Sequence, residues 1–405
     1  MAPRQTSPTV VLILLCFAVF PTVLALLMLG PLLVALASEF QTSVAVVGQL
    51  AGATALTWGI TAPLAGPVAD AYGRRRLLLL GLLLMAGGLL GSGLAWNYGS
   101  LLACRLLTGV GAAFIPPNAF ALMADVFPPN ARGPAMGWLT SASGLSAAVG
   151  VPLVAGLVGT GGWRLPFGVV GMVTLLVWLL CWAWCPRMPR SPGSALAFFA
   201  HYREVGADGT VWSVLVANAL QQMVVFGVFA YLAAYLMHTA QLTAGDTMLP
   251  LALAGGGLIA GGFLGGRVVA HRRRLAWFAW ACLGSGFLAA LVFTVHVSPW
   301  AAAALACGAA SLSRIAMVVT PLVVLERAGG SRTTATGLFA VSNQLGGVGG
   351  ASLGGLMLAL GGFPLVGLFC LSGAVIAAGV IHLTARESAT FLAQTALRQS
   401  PTATD

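Results

Sequence analysis

The chain is 405 residues long, 59% hydrophobic and only 7% charged, which excludes a soluble globular protein of this size, because such a surface needs far more charge. The formal net charge of +10 would suit a nucleic-acid partner in a soluble chain. Here all the basic residues are arginine, and they gather on one side of the predicted spans, so the charge reports membrane topology and contact with anionic headgroups instead.

Twelve apolar runs are long enough to cross a bilayer as helices, and none alternates with the period of a barrel strand. The first, 10–37, is too long for the apolar core of a signal peptide and is expected to remain as a helix. The second, 43–69, runs into the most charged stretch of the chain: Gly66-Pro67-Val68-Ala69-Asp70-Ala71-Tyr72-Gly73-Arg74-Arg75-Arg76. Gly66 and Gly73 allow a close approach and a sharp turn. Asp70, at a helix end, can accept bonds from a neighbouring helix start or pair with Arg74.

Span three covers 75–96 and span four 99–122. Span four carries Arg105, Gly109, Gly111 and Asn118, with Asp125 just beyond it. An arginine inside a span is costly and should face the protein interior or a watery cavity. Span five, 133–158, carries Gly144, Gly150, Pro152 and Gly156, where the proline would bend the helix. Span six covers 165–186. A polar stretch at 187–210 then divides the chain into an N-terminal bundle, 1–186, and a C-terminal bundle with a short tail, 211–405.

Span seven, 211–237, offers Asn218, Gln221, Gln222 and Phe226 on roughly one helical face. Spans eight, 248–270, and nine, 275–296, follow. Span ten, 299–325, carries Arg314 and Met317; span eleven, 333–360, carries Asn343 and Gln344; span twelve is 364–385. Spans five, eight and eleven are rich in glycine, which lets helix backbones approach closely in lipid. The halves echo each other at a spacing near 200 residues, including Asp125 with Glu326 and Gly150 with Gly350.

The loop after span two resembles the loop 2–3 signature of the major facilitator superfamily. Arg105-x-x-x-Gly109-x-Gly111 is similar to that family's second signature. Gly150-Val151-Pro152 with Gly156 resembles the third, found in its antiporter branch, with Val151 inserted and a single closing glycine. The resemblance covers nearly the whole chain. It implies an all-α integral membrane fold of twelve transmembrane helices in two six-helix pseudo-repeats. It also implies a latch of Gly66, Asp70, Gly73, Arg74 and Asp125, in which Asp70 engages the start of span eleven, and a coupling or substrate role for Arg105.

If the N-terminus is inside, sixteen of the nineteen arginines are cytoplasmic, Arg164 is outside, and Arg105 and Arg314 lie within spans. Both termini are then expected in the cytoplasm of a cell whose inner membrane holds the protein. The expected function is proton-coupled export of small molecules by alternating access, as in drug or metabolite efflux. With no carboxylate deep in any span and two arginines there, neutral or anionic substrates are expected. Cavity positions would be Asn118, Asn218, Gln221, Gln222, Phe226 and Asn343, with Arg314 beside them; interhelical glue is the other reading of each amide. Uptake or facilitated diffusion without protons is the alternative function, and a non-transporting sensor a distant one. No cofactor, metal, enzymatic chemistry or nucleic-acid partner is expected, and the chain is expected to act as a monomer.

Overall fold

A computed structural model describes residues 7–186, 208–269, 271, 273–295, 298–327 and 332–385, except the side chains of 70, 129, 130, 133, 134, 269 and 332–336. Most of the expected 187–210 connection therefore lies outside the described residues. Within them the secondary structure is helical throughout. Helix α1 is Pro8–Leu27, continued past Met28 by Leu29–Glu39; α2 is Val44–Tyr72, α3 Arg74–Gly93 and α4 Tyr98–Val126. Helix α5 runs through Pro129–Leu145, Ser146–Gly150 and Val151–Gly161, and α6 is Arg164–Trp184. In the second half α7 is Gly209–Thr239, α8 Met248–Val269, α9 Arg274–Thr294 and α10 Pro299–Arg327. Helix α11 joins Arg332–Val348, Gly349–Leu353 and residues 354–360, and α12 is 363–384.

Residues Gly337–Thr384 form one apolar helical stretch of 48 residues by hydrogen bonding alone. The backbone turns at Gly361 and Gly362, the latter at φ 71°, so the stretch is two crossings and the described residues hold twelve. Residues with positive φ repeat at a fixed spacing: Gln41 (50°) with Gln241 (53°), and Gly162 (69°) with Gly362 (71°). Each pair is 200 positions apart, so the repeat legible in the sequence is also a repeat in backbone path. Helix starts are fixed locally. Ser7, Ser43, Asn97 and Asp208 each accept a bond from a backbone N–H of the first turn, and Asn97 with Ser100 closes a capping box.

Two helices contain one wide, π-helical turn each, at Ser146–Gly150 in α5 and Gly349–Leu353 in α11. In α5 the cause is Pro152, which has no N–H and whose ring crowds the carbonyl four residues back. In α11 no proline is present. There the side chain of Tyr231 donates to the Ala351 carbonyl at 2.5 Å and that of Gln49 donates to the Ser352 carbonyl at 3.1 Å. These bonds satisfy carbonyls within the widened turn.

The two halves meet along α2 against α11, α5 against α8, and the Leu29–Glu39 part of α1 against α7, where Gly30 lies on the Phe229 carbonyl. Glycines make the approach possible. A Cβ on Gly255 would collide with the Ala147 and Ala148 backbone, one on Gly52 with the Ser352 hydroxyl, and one on Gly355 would lie 2.8 Å from the Ala45 carbonyl oxygen. These approaches lie between the loop end marked by Glu39 and Asp246 and the middle of the helices. The deepest are Gly59 against Gln344 and Gly144 against Ile259. At the opposite end, Gly73, Gly137, Gly262 and Gly266 have nothing within 4 Å of where a Cβ would stand. The close glycine approaches across the seam are therefore confined, among the described residues, to the part between that loop end and mid-helix.

Candidate functional site

Arg105 is fully buried on α4. The motif around it presents each residue to a different neighbour. The Arg105 Nη2 donates to the Ala25 carbonyl of α1. Gly109 lies against Thr54 and Thr57 of α2, and Gly111 against Gly81 and Met85 of α3. Thr54 donates to the Arg105 carbonyl at 3.2 Å. The guanidinium stands 5.9 Å from the centre of the Phe167 ring. Its Nε and Nη1 are buried without hydrogen-bond partners, and no carboxylate pairs with it among the described residues. A buried cation so poorly compensated is expensive.

The loop after α2 carries residues expected to form a latch. Gly73, the lone residue between α2 and α3, sits at φ 95°, where a side chain would be strained. Arg74 donates to Asp125 at 2.5 Å, with both side chains about one third exposed, so the pair is worth only about 0–1 kcal/mol. Gly66 is half-buried on α2. The side chain of Asp70 and the start of α11 that it was expected to engage lie outside the described side chains.

The second half carries a counterpart that reading the sequence did not pair. Arg274, the first residue of α9, makes a two-pronged bond to Glu326 at 2.8 and 2.5 Å and is 2% exposed. It occupies the place of Arg74, as Glu326 does that of Asp125. The two arginines are 200 positions apart and the two carboxylates 201. Beside it, Arg327 donates to Asp208 at 2.7 Å. Burial alone would push the Asp208 carboxyl up. The bonds from Arg327 and from the Thr210 N–H at 2.8 Å outweigh it and hold the carboxyl below its usual value.

The expected cavity residues separate into two groups. Asn218 is fully buried and donates to the Ser342 hydroxyl at 2.6 Å and to Asn343 at 2.7 Å. Gln221 is also fully buried and donates to Ser285 and Ser313, both at 2.6 Å. These amides tie α7 to α9, α10 and α11 within one half, the gluing role. Asn118 is likewise buried and donates to Phe114 of its own helix at 2.7 Å. Gln222, Phe226 and Gln344 lie elsewhere, near Gly346 and Gly347, at the depth where the seam between halves ends. Arg314 is half-buried on α10 against Gly261, with no hydrogen bond or ion pair among the described residues. In α5, Gly150 faces Phe20 and Leu24 of α1, Pro152 is buried, and Gly156 faces Met248 at the start of α8.

Twelve apolar helices in two repeated bundles, joined by a glycine-lined seam that is closed at one end, define a polytopic membrane carrier. The family model of the Major Facilitator Superfamily matches residues 15–330, and the chain belongs to that family of transporters, not enzymes. Among curated relatives, "Uncharacterized MFS-type transporter YceJ" of Bacillus subtilis is 28% identical over 67% of this chain and 69% of its own length. "Multidrug resistance protein 2" of the same organism is 30% identical over 41% of each chain. A "Probable sugar efflux transporter" of Helicobacter pylori is 29% identical over 59% of this chain and 60% of its own. The aligned stretch is thus under two thirds of the last two. Among solved structures, an inward-facing, unoccupied bacterial homologue of the human lysosomal transporter Spinster superposes with TM-score 0.70 at 19% identity, covering 96% of this chain and 95% of that one. The human organic anion transporter MFSD10 gives 0.66 at 16% identity, covering 93% and 100%. Both establish likeness of fold.

Proposed function

We propose that the chain exports small neutral or anionic organic molecules in exchange for protons, by rocking its two halves about a central site. The observation that carries this reading is the half-closed seam. The close glycine approaches between the halves run from the Glu39–Asp246 end to the helix midpoints, and none is found among the described glycines nearer the end where α1 begins and α12 finishes. With the termini in the cytoplasm of an inner-membrane protein, this is a state open to the cell interior, the side from which an exporter loads. The unpaired buried Arg105 and the half-buried Arg314 favour uncharged or negative cargo. Relatives named for multidrug resistance and sugar efflux support export.

One observation favours facilitated diffusion instead: every described carboxylate sits at or beyond a helix end, leaving no acid within the described spans to carry a proton. Liposomes loaded with a pH dye separate the two. Compound-dependent proton movement that is lost in Arg105→Ala supports exchange. Flux of compound without proton movement overturns coupling and leaves a facilitator, and charge-blind transport of permanent cations overturns the substrate class.

A further inference from the structure

Gln344 lies on α11 where the seal between the halves ends. Its Cβ would stand 3.0 Å from a Cβ on Gly59 of α2, the innermost close approach along that pair of helices. The side chain lies along its own helix, with Oε1 3.6 Å from a Cβ built on Gly347. The Cε2 of Phe226 is at the same distance from that point, and Ala55 of the other half is 3.1 Å away. Gln344 is 6% exposed, and Oε1 is buried without a hydrogen-bond partner. Gln222, one helical turn before Phe226 on the same face of α7, packs its Cβ against Gly346 on the adjoining turn of α11. Its amide makes no hydrogen bond among the described residues either.

Asn218 Oδ1 and Gln221 Oε1 are also buried without a donor, but both amides spend their N–H groups on helices of their own half, whereas Gln344 stands at the seam against Gly59 of the other half with no hydrogen bond among the described residues. A buried amide oxygen left without a donor carries a penalty that a bound molecule with a hydroxyl or N–H would remove. An aromatic ring beside it supplies an apolar face. No carboxylate is available in the described spans to attract a cation, and no arginine is placed against Gln344 by any bond or ion pair.

We propose that Gln344, with Gln222 and Phe226, is the specificity-determining contact at the blind end of the open cleft. It selects uncharged molecules that carry a hydrogen-bond donor next to an apolar or aromatic group. This rests on the transporter reading above and narrows it to the neutral arm. Because Gln344 also packs on α2 of the opposite half, a molecule bonded to it touches the seam that must open for release.

The test uses the full chain in liposomes and pairs of neutral aromatic probes that differ only in their donors, such as benzamide with N,N-dimethylbenzamide and benzyl alcohol with its methyl ether. Wild-type protein is expected to transport the donor-bearing member at a lower KM. Gln344→Met, which keeps length and volume, should raise that KM roughly two- to tenfold, leave the methylated partner unchanged and so abolish the preference. Gln344→Asn should restore part of it. A preference that survives in Gln344→Met overturns the inference, as does wild-type transport of anions with none of the neutral pairs, and both leave the transporter reading standing. Failure of wild-type protein to move neutral, anionic or cationic compounds overturns the transporter reading and this inference with it.

Discussion

Arg105 is the residue whose presence is least explained by folding. It makes one hydrogen bond, to the Ala25 carbonyl, and leaves two nitrogens buried and unpaired. Replacing a poorly compensated buried charge by an apolar group of similar size is commonly neutral or stabilising. Arg105→Met is therefore expected to melt at or above the wild-type temperature in detergent while transport falls at least roughly tenfold, the equivalent of about 1.4 kcal/mol. A lower melting temperature with activity retained would mark the arginine as structural. Asp208 makes the opposite argument. Its carboxyl is held below its ordinary value by Arg327 and the Thr210 N–H against the pull of burial, so the pair lends stability above the unfolded carboxylate value of about 4. That stability is withdrawn as pH falls through the folded value. The gap in melting temperature between wild type and Arg327→Leu should be full at neutral pH and close progressively below pH about 4; a gap independent of pH would remove the pair from the account.

At the scale of helices, the two π-helical turns show what a linear reading reaches. Pro152 announced a bend in α5 from sequence alone, because a missing N–H is a local fact. The turn in α11 has no proline, only the permissive pair Gly349 and Gly350. It is held by Tyr231 from α7 and by Gln49 from α2, partners 120 and 303 residues away, and nothing in Gly349–Leu353 names them. The same contrast runs through the site. Span positions and the signature around Arg105 were legible because hydropathy and spacing are carried by consecutive residues. Whether Asn218 and Gln221 line a cavity or bind helices depends on which neighbours their shared face meets, and that is a tertiary fact. The pair Arg274–Glu326 was within reach of the sequence, since Arg74 with Asp125 and the 200-residue repeat together point to it. Gln49 is the one described side chain that hydrogen-bonds across the halves, at 3.1 Å. Such a bond is worth about 0.5–1.5 kcal/mol, so Gln49→Leu should shift the balance between sealed and unsealed states roughly two- to tenfold. Spin labels at Gln41→Cys and Gln241→Cys in a cysteine-free background report it as growth of a longer distance. Unchanged distance populations would show that glycine packing alone sets the seal.

At the scale of the whole molecule, the halves resemble two rigid bodies more than a continuous solid. All of the described ion pairs lie within a half: Arg74 with Asp125, Arg164 with Glu39, Arg274 with Glu326 and Arg327 with Asp208. Between the halves stand close-packed small residues and a single described hydrogen bond. Such an interface has little directional bonding to break, and side chains such as Tyr231, Ile259 and Met248 rest on glycines of the other half, which suits surfaces that must part and rejoin in each cycle. A covalent bridge across it should then stop the cycle without disturbing either half. Gly52 and Ser352 face each other there, with a Cβ on Gly52 lying 3.3 Å from the Ser352 Cβ, slightly inside the usual disulfide span of about 3.5–4.5 Å. In a background without the seven native cysteines, all of them unpaired in the fold, the double variant Gly52→Cys with Ser352→Cys is expected to lose transport on oxidation and recover it on reduction. Binding of a transported compound from the termini-bearing side should persist in the oxidised protein, because the seal it fixes is already closed in this structure. Transport that continues through the bridged protein would show that the halves do not need to separate at α2 and α11, and the rocking mechanism would have to give way to one in which individual helices move.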